Sequence, residues 1–278
     1  MQERPRSPKP ASPAASPAGS AASDDSPAPE GPLVALLRRN LASVRHRLDA
    51  AAAQTGRPQP TLVAVTKTVP NEVALALHSL GQDHLAENRA DPFVQKVAAF
   101  ETAGQRPVWH FVGHLQRNKA RRVLERTDVL HSVDSARLAD TVIRITDELQ
   151  RDVDVFLQVN LTGETEKHGL QPEEARDVAT LLGLARHVRL RGLMAMGPLT
   201  EREGARTVDE VFGEAAALAR HLERSVPEAF VDDRCELSMG MSGDAEAAIT
   251  HGSDFVRVGS ALFTDLDRID LEGASRAS

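Results

Sequence analysis

The 278-residue sequence contains no tyrosine, one tryptophan and one cysteine, and each scarcity narrows what the chain can do. The lone thiol, Cys235, makes neither an internal disulfide nor a multi-thiolate metal site. It fits a reducing compartment, so the cytoplasm is the expected location. No apolar run reaches the roughly 18 residues that a membrane-spanning helix needs, and the N-terminus lacks the apolar centre of a secretory signal. Neither Gly-x-Gly-x-x-Gly nor a Walker-type glycine-lysine loop occurs, which removes the usual nucleotide signatures. A net charge of −7 opposes a surface built to coat phosphates, so nucleic acid is not an expected partner. The basic stretch Arg117 to Arg122 reads first as a solvated helix face and second as a phosphate-positioning cluster.

What is present suffices for one large core, at 41% hydrophobic residues. Half of the 16 prolines fall in residues 1–32, mixed with alanine, serine and glycine, and that segment is expected to be a disordered tail because it has too little apolar surface to bury. From Leu33 to Leu48 large apolar residues recur at spacings of three and four, the mark of an amphipathic helix, expected to cover the bottom of whatever sheet follows. Beyond it, short apolar runs alternate with helical patterns. The runs predict strands over Thr61–Thr66, Asp83–Ala86, Val108–Val112, Val129–Ser132, Val153–Asn160, Leu190–Met196, Glu236–Met239 and Phe255–Val258. Repeated βα units with non-alternating strands imply a parallel sheet, and eight of them point to an α/β fold of the single (β/α)8 TIM-type barrel class. A doubly wound open sheet is the alternative. The expected organisation is a tail over 1–32, a barrel over 33–270 and a flexible C-terminus over 271–278.

In such a barrel the functional site lies at the C-terminal ends of the strands. Lys67 closes the first apolar run, where a stiff strand pins a primary amine as the backbone turns out of the sheet. Many strand-end lysines are merely solvated, so Lys67 needs supporting groups. The seventh strand leads into Leu237-Ser-Met-Gly-Met-Ser-Gly-Asp244, a small-residue loop opening a helix, where backbone N–H groups and the Ser242 hydroxyl suit an anion. Helix capping by Ser242 or Asp244 is the plainer role for the same residues. The eighth strand ends in Val256-Arg-Val-Gly-Ser-Ala261, where Gly259 permits close approach of a ligand and Ser260 adds a hydroxyl. Arg257 is a permanent cation that pairs either with a core carboxylate or with a ring nitrogen at the mouth. An amine, a phosphate cradle and a permanent cation at one rim describe a pocket for pyridoxal 5'-phosphate, whose aldehyde forms a Schiff base with lysine. Asn88, ending Leu85-Ala-Glu-Asn88, is either a neighbour of the ring hydroxyl or a turn residue.

His110 and His114 lie four apart in Trp109-His-Phe-Val-Gly-His114, but a strand-like start and a glycine oppose the helical two-histidine zinc pattern, so no metal site is expected. Lys167 and His168 are expected on a solvated loop, with gating as the functional alternative.

At this point the motifs align with a known family. Leu62-Val-Ala-Val-Thr-Lys67, Glu87-Asn88, Trp109-His-Phe-Val-Gly-His-Leu-Gln-Arg-Asn-Lys119, Lys167-His-Gly169, Gly192-Leu-Met-Ala-Met196, Leu237-Ser-Met-Gly-Met-Ser242 and Val256-Arg-Val-Gly-Ser260 together resemble the pyridoxal phosphate homeostasis proteins, small barrels related to the N-terminal domain of alanine racemase. The resemblance spans roughly Leu33 to Asp265. It implies the cofactor on Lys67, with Met241, Ser242, Gly259 and Ser260 around the phosphate and Arg257 near the ring. It also implies a carrier or buffer without catalytic turnover. Apo-enzymes that need the cofactor are the implied partners, and a monomer is expected. Ala86 and Thr264 stand where the family usually has glycine, and the long tail is not part of the pattern. The alternative is an amino-acid racemase using Lys67 as a base. The resemblance implies that such an enzyme takes its second base, a tyrosine, from an additional C-terminal domain, and this chain has no tyrosine.

Overall fold

The computed structural model describes residues 30–164, 168–198 and 206–269. Eight parallel strands close into a barrel in chain order: β1 Thr61–Val65, β2 His84–Glu87, β3 Val108–Phe111, β4 Val129–Val133, β5 Val153–Gln158, β6 Val188–Met194, β7 Glu236–Ser238 and β8 Phe255–Val258. Closure is made by β1 against β8, with Thr61 beside Phe255 and Ala64 beside Val258. The outer helices are α2 Asn71–Ser79, α3 Ala90–Thr102, α4 Ala120–Leu124, α5 Ala136–Leu149, α6 Ala175–Gly183, α7 Val208–Ser225 and α8 Ala245–Thr250. Among the described residues no helix is long and apolar enough to cross a membrane.

Both faces of the strands are covered, and alternate residues serve the two sides. Leu62 and Ala64 of β1 pack outward under the helices, while Val63 and Val65 point into the barrel with Ala86 and Phe255. On the opposite wall Val129, Phe156 and Met194 fill the interior against Phe255.

The first helix, α1 Pro32–Thr55, corrects one expectation: it does not cover the barrel floor. It packs along the side against α2, α8 and the turn Ser260–Phe263. The reason lies in α8, whose six residues are too short to shield the seam between β8 and β1. The 24 residues of α1 span about 36 Å and cover it. In its third turn Asn40 Nδ2 donates to the carbonyls of Leu262 and Thr264, and further along Arg45 donates to the Gly81 carbonyl. Gly31 starts the helix ahead of Pro32, and Gly56 ends it with a φ of 64°.

Candidate functional site

β1 ends at Val65, so Lys67 lies two residues beyond the strand in the turn Thr66–Pro70. Its side chain is exposed, and its Nζ has no hydrogen-bond or ion-pair partner among the described residues. The turn itself is held firmly. Thr66 donates its N–H to the Ala86 carbonyl at 2.9 Å and its hydroxyl to Glu87 Oε1 at 2.8 Å. From α3, Lys96 reaches under the turn and donates to the carbonyls of Thr66 and Val69 at 2.7 and 3.1 Å and to Glu87 Oε1 at 2.5 Å. Glu87 and Lys96 are both buried, so a completed ion pair brackets the segment that presents Lys67. Sequence reasoning treated Glu87 as a motif letter and missed Lys96. The available signal was an acid at the end of a buried strand, which requires a cation nearby.

The loops after β7 and β8 meet as expected. Ser242 Oγ accepts the N–H groups of Gly259 and Ala261 at 3.4 and 3.5 Å, so one hydroxyl joins the two loops. Gly259 sits so close to β1 that a Cβ there would stand 3.2 Å from the Val65 carbonyl oxygen, which draws the cradle up to the turn carrying Lys67. Gly240 turns the first loop with a φ of 88°, and a Cβ would collide with Ala248 at 2.6 Å. Asp244 does not cap α8 through its side chain. Instead its Oδ1 accepts the Met241 N–H at 2.5 Å and closes the loop on itself. The N–H groups of Met241, Gly259 and Ala261 are therefore engaged by acceptors within the loops themselves. Ser260 is exposed on the rim and Ser242 half-buried.

Arg257 lies beneath these loops with 5% exposure. Its guanidinium donates to the Ser238 carbonyl and hydroxyl, both at 2.7 Å, and to the Ala195 carbonyl at 3.0 Å. No carboxylate pairs with it among the described residues, so the core ion pair is not the arrangement adopted. Burial pushes its pKa down to about 10, against the raising influence of Asp244, and it stays cationic at neutral pH. Asn88 follows β2 and is half-buried, and its side-chain amide has no hydrogen-bond partner among the described residues. Gly113 presses against it: a Cβ there would lie 1.9 Å from the Asn88 carbonyl oxygen.

A buried polar chain leads away from Arg257. Ser238 Oγ is 2.9 Å from His131 Nδ1, His131 Nε2 is 2.8 Å from His110 Nδ1, and His110 Nε2 is 2.9 Å from His84 Nδ1. Burial holds His110 and His131 well below the ordinary imidazole range, with the neighbouring His84 and His110 charges acting the same way, so both rings are neutral. His110 thus belongs to the barrel interior, whereas His114 sits on the rim beyond β3. The two do not share a site. Lys167 lies outside the described residues.

The family-model description matching residues 40–267 is "Alanine racemase, N-terminal domain". The chain is 37% identical over 233 residues to the pyridoxal phosphate homeostasis protein of Escherichia coli strain K12, covering 82% of this chain and 95% of the relative. It is 33% identical over 229 residues to the protein of the same name from Pasteurella multocida, with 82% and 96% covered. The chain belongs to the pyridoxal phosphate homeostasis protein family. The structure of PipY from Synechococcus elongatus PCC7942 with PLP bound matches at a TM-score of 0.70 and 34% identity, over 82% of this chain and 99% of PipY. An alanine racemase from Clostridium difficile 630 matches at a TM-score of 0.64 with 17% identity and 56% of its length covered, a likeness of fold alone.

Proposed function

We propose that this chain binds pyridoxal 5'-phosphate at the barrel mouth as a Schiff base on Lys67, and that it serves intracellular vitamin B6 homeostasis by holding the cofactor without turnover. The observation that carries the reading is the convergence at one rim: the Lys67 turn clamped by Lys96 and Glu87, the Ser242 and Gly259 loops drawn against Val65, and Arg257 beneath. When bound, the cofactor supplies a reactive aldehyde that a primary amine captures. The chain's own residues do the rest. Met241, Ser242, Gly259 and Ser260 would offer N–H and O–H donors to the phosphate, Arg257 would supply a cation that does not surrender its proton on the ring side, and the Asn88 amide would be a partner for the ring hydroxyl. The relatives' shared name and the PLP-bound PipY structure support the same cofactor.

The racemase alternative lacks a second base. The sequence has no tyrosine, and Cys235 precedes β7 at the barrel floor, buried, with its thiol pushed up by burial and by the charges of Glu223 and Asp254. The reading also places the protein in the cytoplasm as a monomer, with cofactor-requiring apo-enzymes as recipients. Borohydride reduction of the cofactor-loaded protein followed by peptide mass mapping tests it. A pyridoxyl adduct on the peptide containing Lys67 is expected. An adduct on another lysine, or no visible absorbance after incubation with the cofactor, overturns it, and racemisation at enzyme-like rates revives the alternative.

A further inference from the structure

Three side chains from three successive strand ends meet on the rim away from the phosphate loops: His114 beyond β3, Asp134 directly after β4 and His168 beyond β5. In a closed barrel of eight strands β4 stands across from β8, so the cluster faces the Ser242 and Gly259 loops over the mouth. One ligating atom from each of the three lies within 4.8 Å of the other two. Asp134 Oδ2 is 2.8 Å from His114 Nδ1, and the imidazoles of His114 and His168 stack with centroids 3.9 Å apart and planes 12° from parallel.

Each member is fixed from behind. The Asp134 side chain is only 8% exposed, and its other oxygen accepts the hydroxyl of Ser135, the residue that caps α5. His168 is anchored through its carbonyl, which accepts Gln158 Nε2 at 2.8 Å from the buried end of β5. His114 follows Gly113, whose backbone is wedged against Asn88. Such outer contacts are what orient ligands in metal sites.

A carboxylate and one imidazole would make an ordinary surface pair of small value. The second imidazole, stacked on the first, gains nothing from that pair and repels it when both rings are protonated. A divalent ion accounts for all three groups, because it takes a lone pair from each neutral ring and charge from the carboxylate. Two nitrogens and one oxygen favour zinc and its first-row neighbours over calcium or magnesium. Ligands at about 2.0–2.1 Å from a tetrahedral centre stand about 3.3 Å apart; the exposed histidines reach this by turning out of their stack, because parallel rings aim their in-plane lone pairs side by side and not at one point. We propose that His114, Asp134 and His168 bind one divalent first-row transition metal ion of the zinc class, with a remaining coordination position open to water at the barrel mouth. The histidine pair considered from sequence, His110 with His114, is not the one that converges. The signal that could have found the set is three potential ligands at equivalent positions after consecutive strands.

The test uses the full-length protein freed of metal by chelator and titrated with cobalt(II), read by its visible d–d absorption, and with zinc by calorimetry. One ion per chain is expected, with affinity at least about tenfold lower in His168→Ala and in Asp134→Asn and no binding in His114→Ala/His168→Ala. Both histidines are exposed, so the unfolding temperature of the metal-free double variant matches wild type. Absence of binding by the wild type, or equal cobalt affinity in wild type and double variant, overturns the proposal. Neither outcome depends on whether Lys67 carries a cofactor.

Discussion

Replacing Lys96 by methionine keeps most of the side-chain volume and removes the ammonium that holds the Lys67 turn. Three acceptors lose a donor: Glu87 Oε1 at 2.5 Å, the Thr66 carbonyl at 2.7 Å and the Val69 carbonyl at 3.1 Å. Breaking a buried ion pair on one side costs about 3–5 kcal/mol, because the remaining charge stays in the interior. Here that charge is Glu87, 1% exposed and left with the Thr66 hydroxyl as a donor. The Thr66 carbonyl keeps the Val69 N–H at 3.2 Å, while the carbonyl of the buried Val69 loses its ammonium donor and adds to the loss. At about 2–4 °C per kcal/mol for a domain of this size, the unfolding midpoint should fall by roughly 6–20 °C. Differential scanning calorimetry reads the loss. The double variant Lys96→Met/Glu87→Met removes the stranded charge and should recover most of the stability, since apolar replacement of a buried pair is often neutral. Cofactor affinity should stay weakened in the double variant, because nothing ties Thr66 and Val69 to α3. A midpoint shift below about 2 °C, or wild-type cofactor affinity in the double variant, would refute the clamp.

Other consequences are as direct. Ser242→Ala removes the hydroxyl shared by Gly259 and Ala261; affinity for pyridoxal phosphate should drop about tenfold, the worth of one hydrogen bond, while pyridoxal binding and the unfolding midpoint stay near wild type. An equal loss for both ligands would remove Ser242 from the phosphate site. Gly113→Ala places a methyl 1.9 Å from the Asn88 carbonyl oxygen and should cost about 3 kcal/mol in urea unfolding; a neutral result would mean that the β2 and β3 loops are not wedged. His110 and His131 have folded pKa values well below the unfolded value of about 6.5, so the unfolded chain binds the extra protons. Stability should therefore be full above that value and fall as pH drops below it, by up to about 1.4 kcal/mol per pH unit for each histidine. Urea titrations between pH 7 and 5.5 measure the slope, and His131→Phe should reduce it by about one proton. An unchanged slope would show that His131 does not carry the dependence.

The barrel was legible because each strand is buried on both faces and reads as a short apolar run bounded by turn residues. Boundaries slipped where polarity misleads. β5 stops at Gln158, short of the expected Asn160, where the chain leaves the sheet to bridge Val159 to Leu170. Lys67 and the two serine loops were legible because strand-end chemistry is local. Lys96 was not: within Phe93-Val-Gln-Lys-Val97 it resembles any solvated helix lysine, and only the tertiary fold carries it to Glu87, nine residues back. His131 and Ser238 are separated by 107 residues, and no local pattern announces that two strands will point polar side chains at one another inside a barrel.

The chain from Arg257 to His84 has a direction as well as a path. A guanidinium only donates, so Ser238 accepts from Arg257 and must pass its own proton to His131 Nδ1, no other acceptor for that hydroxyl existing among the described residues. His131 then donates from Nε2 to His110, and His110 from Nε2 to His84. One buried arginine beneath the mouth thereby fixes the tautomer of three imidazoles, and the interior of the barrel acquires a sense, with the protons of this chain pointing from mouth to floor.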